Sequence, residues 1–126
     1  IFYNGQIFDA YKFVSDIIKK ATKSIILLDN YIDENTLLHL SKRNPGVSVT
    51  IYSKKMSKQT FLDVSKFNEQ YDHVIVKELD NLHDRFLIID NNEMYHLGAS
   101  LKDLGKKIFA FSRMNSETHK ILAKLV

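Results

Sequence analysis

Cysteine is absent from the 126-residue chain. That absence excludes a disulfide framework, a cysteine-ligated zinc or iron–sulfur centre and a thiol nucleophile, and it fits a cytoplasmic location. Proline occurs once and glycine 4 times, which excludes collagen-like and low-complexity character. Long apolar runs are missing too. Stretches such as Ile25-Ile26-Leu27-Leu28 and Phe86-Leu87-Ile88-Ile89 fall far short of the roughly 18 residues of a membrane helix, so no membrane partner is expected. No signal peptide opens the chain. The first residue is Ile1 rather than Met, and the expectation is one domain over 1–126, a fragment of a longer protein.

What is present is ordinary globular material, 44% hydrophobic and 26% charged, which excludes disorder. A chain of this length buries about two thirds of its unfolded surface, enough to fold without a metal or disulfide staple. Lys and Arg number 18 against 15 Asp and Glu, a net charge of +3. Such a balance permits an anionic partner without demanding one, because a solvated lysine-rich surface gives the same sum.

The hydrophobic period alternates along the chain. After an apolar start at 1–8, Ala10, Phe13, Val14, Ile17, Ile18 and Ala21 recur at helical spacing behind Asp9 as N-cap. Ser24–Leu28 reads as a buried strand, and Asp33–Arg43 as a short helix stopped by Asn44-Pro45-Gly46. Val47–Tyr52 alternates as a strand. Ser57–Tyr71 is helical with Phe61, Val64 and Phe67 on one side, and His73–Leu79 is a third strand. This βαβαβ order implies parallel strands with right-handed crossovers. Asp80-Asn81-Leu82 is too short for a helical crossover, so the apolar strand at 83–90 should run back antiparallel. Asn91-Asn92 then turns the chain into a strand at 94–97. A further strand spans Lys107–Arg113, and Ser116 caps a last helix bearing Ile121, Leu122 and Leu125. The expected fold class is α/β, a mixed sheet flanked by helices.

Reversal at 83 has a functional consequence. The beginning of that strand would lie at the carboxyl edge of the first three, where open α/β sheets bind ligands. Gathered there are Asp29-Asn30-Tyr31, the run Lys54-Lys55-Met56-Ser57-Lys58, and His83.

The chemistry-bearing segment is His83-Asp84-Arg85-Phe86-Leu87-Ile88-Ile89-Asp90, followed by Gly98-Ala99-Ser100. Strand alternation would point His83 and Arg85 the same way. An imidazole is neutral and nucleophilic near physiological pH, and a guanidinium holds two phosphate oxygens in a fork. Gly98 allows close backbone approach, and Ser100 offers a hydroxyl donor. The spacing His83-x-Arg85-x4-Asp90 with Gly98-x-Ser100 resembles the HxKxxxxD…G[GS] signature of the phospholipase D superfamily. The element order is similar to one half of that fold, so the resemblance covers nearly the whole chain.

The resemblance implies a two-step phosphodiester mechanism without metal or other cofactor. In the family two motif copies meet across a twofold axis, one His forming a phosphohistidine and the other protonating the leaving oxygen. A chain with one copy therefore implies a C2 homodimer, as in the family's small bacterial nucleases. Catalytic roles would fall to His83, Arg85 and Ser100, with Asp90 and Gly98 as structural members. The sequence also departs from the pattern. Arg85 stands where the family has lysine; Leu101 and Lys102 stand where its nucleases place an Asn; Lys106, Lys107 and Ile108 stand where many carry a Glu. Phosphate binding survives such changes better than catalysis does.

Each residue also has a plainer reading. His83 alone would read as a partly buried histidine satisfying a strand-end carbonyl, and Arg85 as an ion-pair partner of Asp29 or Asp33. Asp90 should project opposite Arg85 and serve as a hydrogen-bond acceptor at the hairpin turn. His96 suits a surface or packed role, while His39, His73 and His119 lack metal-ligand spacing. Lys54, Lys55, Lys58, Lys102, Lys106 and Lys107 form either a backbone-tracking phosphate surface or a solvated face. No aromatic platform is interleaved with them, and Tyr31 and Tyr52 serve stacking or core packing equally well. Two functions remain open. One is a homodimeric phosphodiesterase acting on nucleic acid; the other is a silent dimerisation or effector-sensing module, as found in DNA-binding regulators and phage antirepressor-like proteins.

Overall fold

The computed structural model describes residues 1–104 and 108–125. Helix α1 spans Ile7–Lys20 and buries Ala10, Val14, Ile17 and Ile18. It begins earlier than the Asp9 cap expected from sequence. Gln6 Oε1 accepts the Tyr3 N–H at 2.7 Å, and the Gln6 carbonyl accepts the Ala10 N–H. Asp9 is left inside the first turn, where its charge favours the helix dipole.

Strand β1 (Ser24–Leu28) leads to α2 (Glu34–Leu40), which opens with a reciprocal cap. The Asp33 carboxylate accepts from the Asn35 and Thr36 N–H groups, and the Thr36 hydroxyl accepts from the Asp33 N–H. This helix stops at Leu40, short of the expected Arg43. The Arg43 side chain is buried and donates to the carbonyls of Leu40, Val47, Asp72 and His73, which removes it from the helix.

Next come β2 (Ser48–Ser53), α3 (Lys58–Gln70) and β3 (Val74–Glu78). Ser57 caps α3 by accepting the Thr60 N–H. Val64 and Phe67 are buried there, but Phe61 is 59% exposed. At about 100° per residue, Phe61 and Phe67 lie some 120° apart around the helix, too far for one buried stripe.

Strand β4 (Arg85–Ile89) returns through a tight turn to β5 (Glu93–Leu97). Asp90 and Asn91 occupy the turn's centre with φ of 54° and 55°, and the Asn92 N–H donates to the Ile89 carbonyl. The Ile89–Glu93 pairing leaves Asp90-Asn91-Asn92 as the loop, one residue longer than the expected Asn91-Asn92 turn. The last strand, β6 (Phe111–Arg113), is shorter than expected. Phe109 bridges Phe2 instead, and Lys107 lies outside the described residues.

Helix α4 (Thr118–Lys124) has no side-chain cap. Ser116 sits inside a 3-10 turn pinned to the sheet by Asn115 Oδ1, which accepts the Met94 N–H, and by the Thr118 hydroxyl, which donates to the Asn92 carbonyl.

All six strands form one sheet in the order β3-β2-β1-β4-β5-β6. β1, β2 and β3 are parallel, and β4 pairs antiparallel with β1. The architecture is α/β with a mixed sheet flanked by helices. The main core joins α1, α2 and α3 to one face, with Ile18, Ile25, Ile51 and Leu87 fully buried. A smaller cluster around Leu28, Ile88 and Met94 lies on the other face, with Ile121 and Leu122 of α4 and Leu125 just after it packed against it. No helix among the described residues is long and apolar enough to cross a membrane.

Candidate phosphate site

Antiparallel pairing sets Leu28 against Phe86, and β5 pairs Leu97 with Arg85. The opening of β4, the end of β5 and the carboxyl ends of β1 and β2 therefore meet at one edge. Asn30 fastens two of the loops there. Its Nδ2 donates to the Leu82 carbonyl, and its Oδ1 accepts the Lys54 N–H at 3.0 Å. The segment before His83 is thus tied to the lysine loop after β2.

Arg85 is half-buried. Its guanidinium donates to the carbonyls of Leu97 (3.4 Å) and Gly98 (3.1 Å), and it forms no ion pair with Asp29 or Asp33 among the described residues. Gly98 is required by geometry. A Cβ there would meet the Ala110 carbonyl oxygen at 2.5 Å, and the Gly98 N–H donates to that same oxygen at 2.8 Å. The close approach is to the neighbouring backbone. Arg85, Gly98, Ser100, Tyr31, Lys102 and Phe109 line a cavity of about 460 Å³. Lys102 Nζ stands 3.1 Å from Asp103 Oδ1.

Beneath this cavity lies a carboxyl group whose role no sequence pattern disclosed. Asp29 is fully buried. Its oxygens accept the N–H groups of Tyr31 (2.9 Å) and Leu101 (3.4 Å). Ser100 Oγ lies 2.7 Å from both Asp29 Oδ2 and the Tyr31 carbonyl oxygen. One hydroxyl proton cannot serve two acceptors fully. Ser100 thus ties the Asp29 carboxyl to the Tyr31 backbone. Burial pushes the Asp29 carboxyl above its ordinary value, with hydrogen bonds and the nearby Arg85 charge opposing. Ser100 and Asp29 are 71 residues apart, so no local motif could pair them.

His83 is exposed and precedes β4, which opens at Arg85. Strand alternation therefore does not reach it, because Asn30 holds the Leu82 carbonyl outside the ladder. It makes no hydrogen bond or ion pair among the described residues, unlike a histidine satisfying a carbonyl. It is also not among the residues lining the Arg85 cavity. His96 stands 3.6 Å from Asp84 and edge-on to Phe86.

Asp90 lies at the far end of β4. Its carboxylate accepts from the Thr22, Lys23 and Ser24 N–H groups at 2.7–3.1 Å and from the Thr22 hydroxyl. Desolvation alone acts to raise its pKa, but the backbone donors Ser24, Lys23 and Thr22 hold it below the usual carboxylate range. It clamps the α1–β1 loop. Lys54 and Lys55 border a smaller hollow beside Tyr31, and Lys54 Nζ sits 4.5 Å from the Tyr31 ring centroid. Lys106 and Lys107 lie outside the described residues.

No family model and no curated protein matches the sequence. Solved structures do match the fold. Nuc from Salmonella typhimurium, a phospholipase D family member, superposes with a TM-score of 0.66 at 16% identity, covering 90% of this chain and 82% of its own. The fold is phospholipase D-like. NucT from Helicobacter pylori gives 0.65 at 16% identity over 95% of this chain and 85% of its own. The archaeal chromatin protein TrmBL2, described as showing a novel mode of DNA binding, gives 0.61 at 15% identity. It covers 94% of this chain, which spans 47% of TrmBL2. Over this phospholipase D-like frame, the motif strand is β4 and its Gly98-x-Ser100 segment follows β5.

Proposed function

We propose that the chain is a phosphodiester-binding domain that acts on nucleic acid as a C2 homodimer. The observation that carries this reading is the meeting of Arg85, the Lys54 loop and the His83 segment at one carboxyl edge of a phospholipase D-like sheet. Arg85 takes two phosphate oxygens in exchange for its carbonyl partners. His83 Nε2 attacks phosphorus, the phosphorus–oxygen bond to the leaving group breaks, and His83 of the second copy gives that oxygen its proton. Water then hydrolyses the phosphohistidine, its proton passing to the second imidazole and its oxygen staying on phosphorus. An exposed, unpartnered His83 suits that exchange between copies, and Ile108, 67% exposed on the cavity rim, suits a seam between them.

A second reading rests on the Arg85 substitution and on His83 standing outside the cavity lining. Here the site binds phosphate without cleaving it, within a DNA-associated regulator, and the TrmBL2 likeness favours it. Incubation of labelled single-stranded DNA in EDTA with the wild type and His83→Ala separates the two. Cleavage lost in His83→Ala supports the enzyme; equal inactivity supports the silent domain. Under the enzyme reading Arg85→Lys keeps or raises the rate, and the active species elutes from gel filtration as a dimer. A monomeric active species contradicts the paired-histidine mechanism.

A further inference from the structure

Between the start of α3 and the β3 edge lies a second cavity, of about 560 Å³. That is within the range of about 300–1,000 Å³ typical of small-ligand sites. Its wall carries Phe61 (59% exposed) and Leu62 (51%), with Met56 and Val76. Lys54, Lys55 and Lys58 stand around it, and among the described residues none of the three forms an ion pair. Lys58, Phe61 and Leu62 share a helical face by their spacing, so charge and apolar surface are offered side by side.

Shared lining residues link this cavity to the Arg85 site. The smaller hollow of about 380 Å³ shares Lys54, Lys55, Met56 and Ser57 with it, and shares Tyr31 and Lys102 with the Arg85 cavity. Three neighbouring hollows therefore lie in a row from Arg85 past Tyr31 and the lysines to Phe61.

We propose that the Phe61 cavity is a base-accepting subsite for single-stranded nucleic acid whose backbone follows the lysines toward Arg85. The proposal rests on the nucleic-acid reading above and deepens it. Such a row needs a ligand that is anionic along its length and flat and apolar at its side, which describes a nucleotide strand. Glu78 and Lys77 adjoin in the lining and offset each other, so the net positive charge lies at the Lys54–Lys58 mouth, where the backbone stays while the base enters. A duplex is excluded because its bases are paired and stacked inward. Phe61 supplies a π-face to any base, so the subsite is tolerant of sequence.

The test is fluorescence anisotropy of the full chain with a labelled 12-nucleotide single strand and an abasic strand of equal length and charge. Phe61→Ala is expected to weaken the normal strand about tenfold and leave the abasic strand unchanged, while Phe61→Tyr keeps wild-type affinity. Phe61 is exposed, so the alanine variant keeps its fold and its thermal midpoint. Equal affinity of wild type and Phe61→Ala for the normal strand overturns the subsite but leaves phosphate binding at Arg85 standing. Wild type that binds neither strand at low salt overturns both readings, as does preference for anionic phospholipid vesicles over either strand.

Discussion

Asp29 shows most directly how one side chain shapes the site. Its buried carboxyl sits between Ser100 and two backbone donors, close enough to Arg85 to feel its charge. Because its folded pKa is raised above the ordinary 3.8, the folded state holds that proton more tightly than the unfolded chain does. Its contribution to stability is fully present below that ordinary value and declines as pH rises through the raised one. Asp29→Asn removes the titration and keeps the acceptor for the Tyr31 N–H. We expect it to leave stability at pH 7 unchanged or improved and to flatten the fall in urea midpoint with rising pH. Asp29→Ala should cost about 1–3 kcal/mol by stranding the Ser100 and backbone partners. An Asn variant that is less stable than wild type at pH 7, with the pH dependence intact, contradicts the raised pKa.

At the scale of elements, the hydrophobic rhythm carried most of the architecture. Alternation over 47–52 and helical spacing over 57–71 correspond to β2 and α3, and three residues at 80–82 were too few for a crossover, so β4 reverses as expected. Element ends were less legible because distant groups decide them. Gln6 starts α1 early, Arg43 leaves α2 to gather carbonyls from the β3 side, and Asn115 pins the turn where Ser116 was expected to cap a helix. The motif residues were legible as a pattern, but their surroundings were not. Asn30 binds Leu82 across 52 positions, and Phe61 reads as core until its angular offset from Phe67 is counted. The contact between the ends of β5 and β6 also constrains the site. Gly98→Ala would drive a methyl against Ala110 and displace the carbonyl that holds Arg85. It should lower stability by about 1–3 kcal/mol and weaken single-strand binding with it. Unchanged thermal melting would contradict that packing.

The whole molecule is a sheet with a heavily covered face, a lightly covered one, and a polar edge where four strand ends converge. Its net charge of +3 is modest, so attraction for a phosphodiester must come from how charge is placed. Arg85, Lys54, Lys55 and Lys58 stand at neighbouring hollows of that edge, while Asp29 is buried with its pKa raised and Asp90 is engaged at the opposite end of β4. Asp103, Asp33 and Glu78 border the same hollows, so the cationic side chains must outweigh them where an oxyanion docks. The most direct test is single-strand binding against salt concentration for wild type, Arg85→Lys and Arg85→Ala. The account predicts that Arg85→Ala binds about tenfold or more weakly and that its slope of log affinity against log salt is shallower by about 1, with Arg85→Lys near wild type. Identical affinity and slope for all three proteins would contradict it.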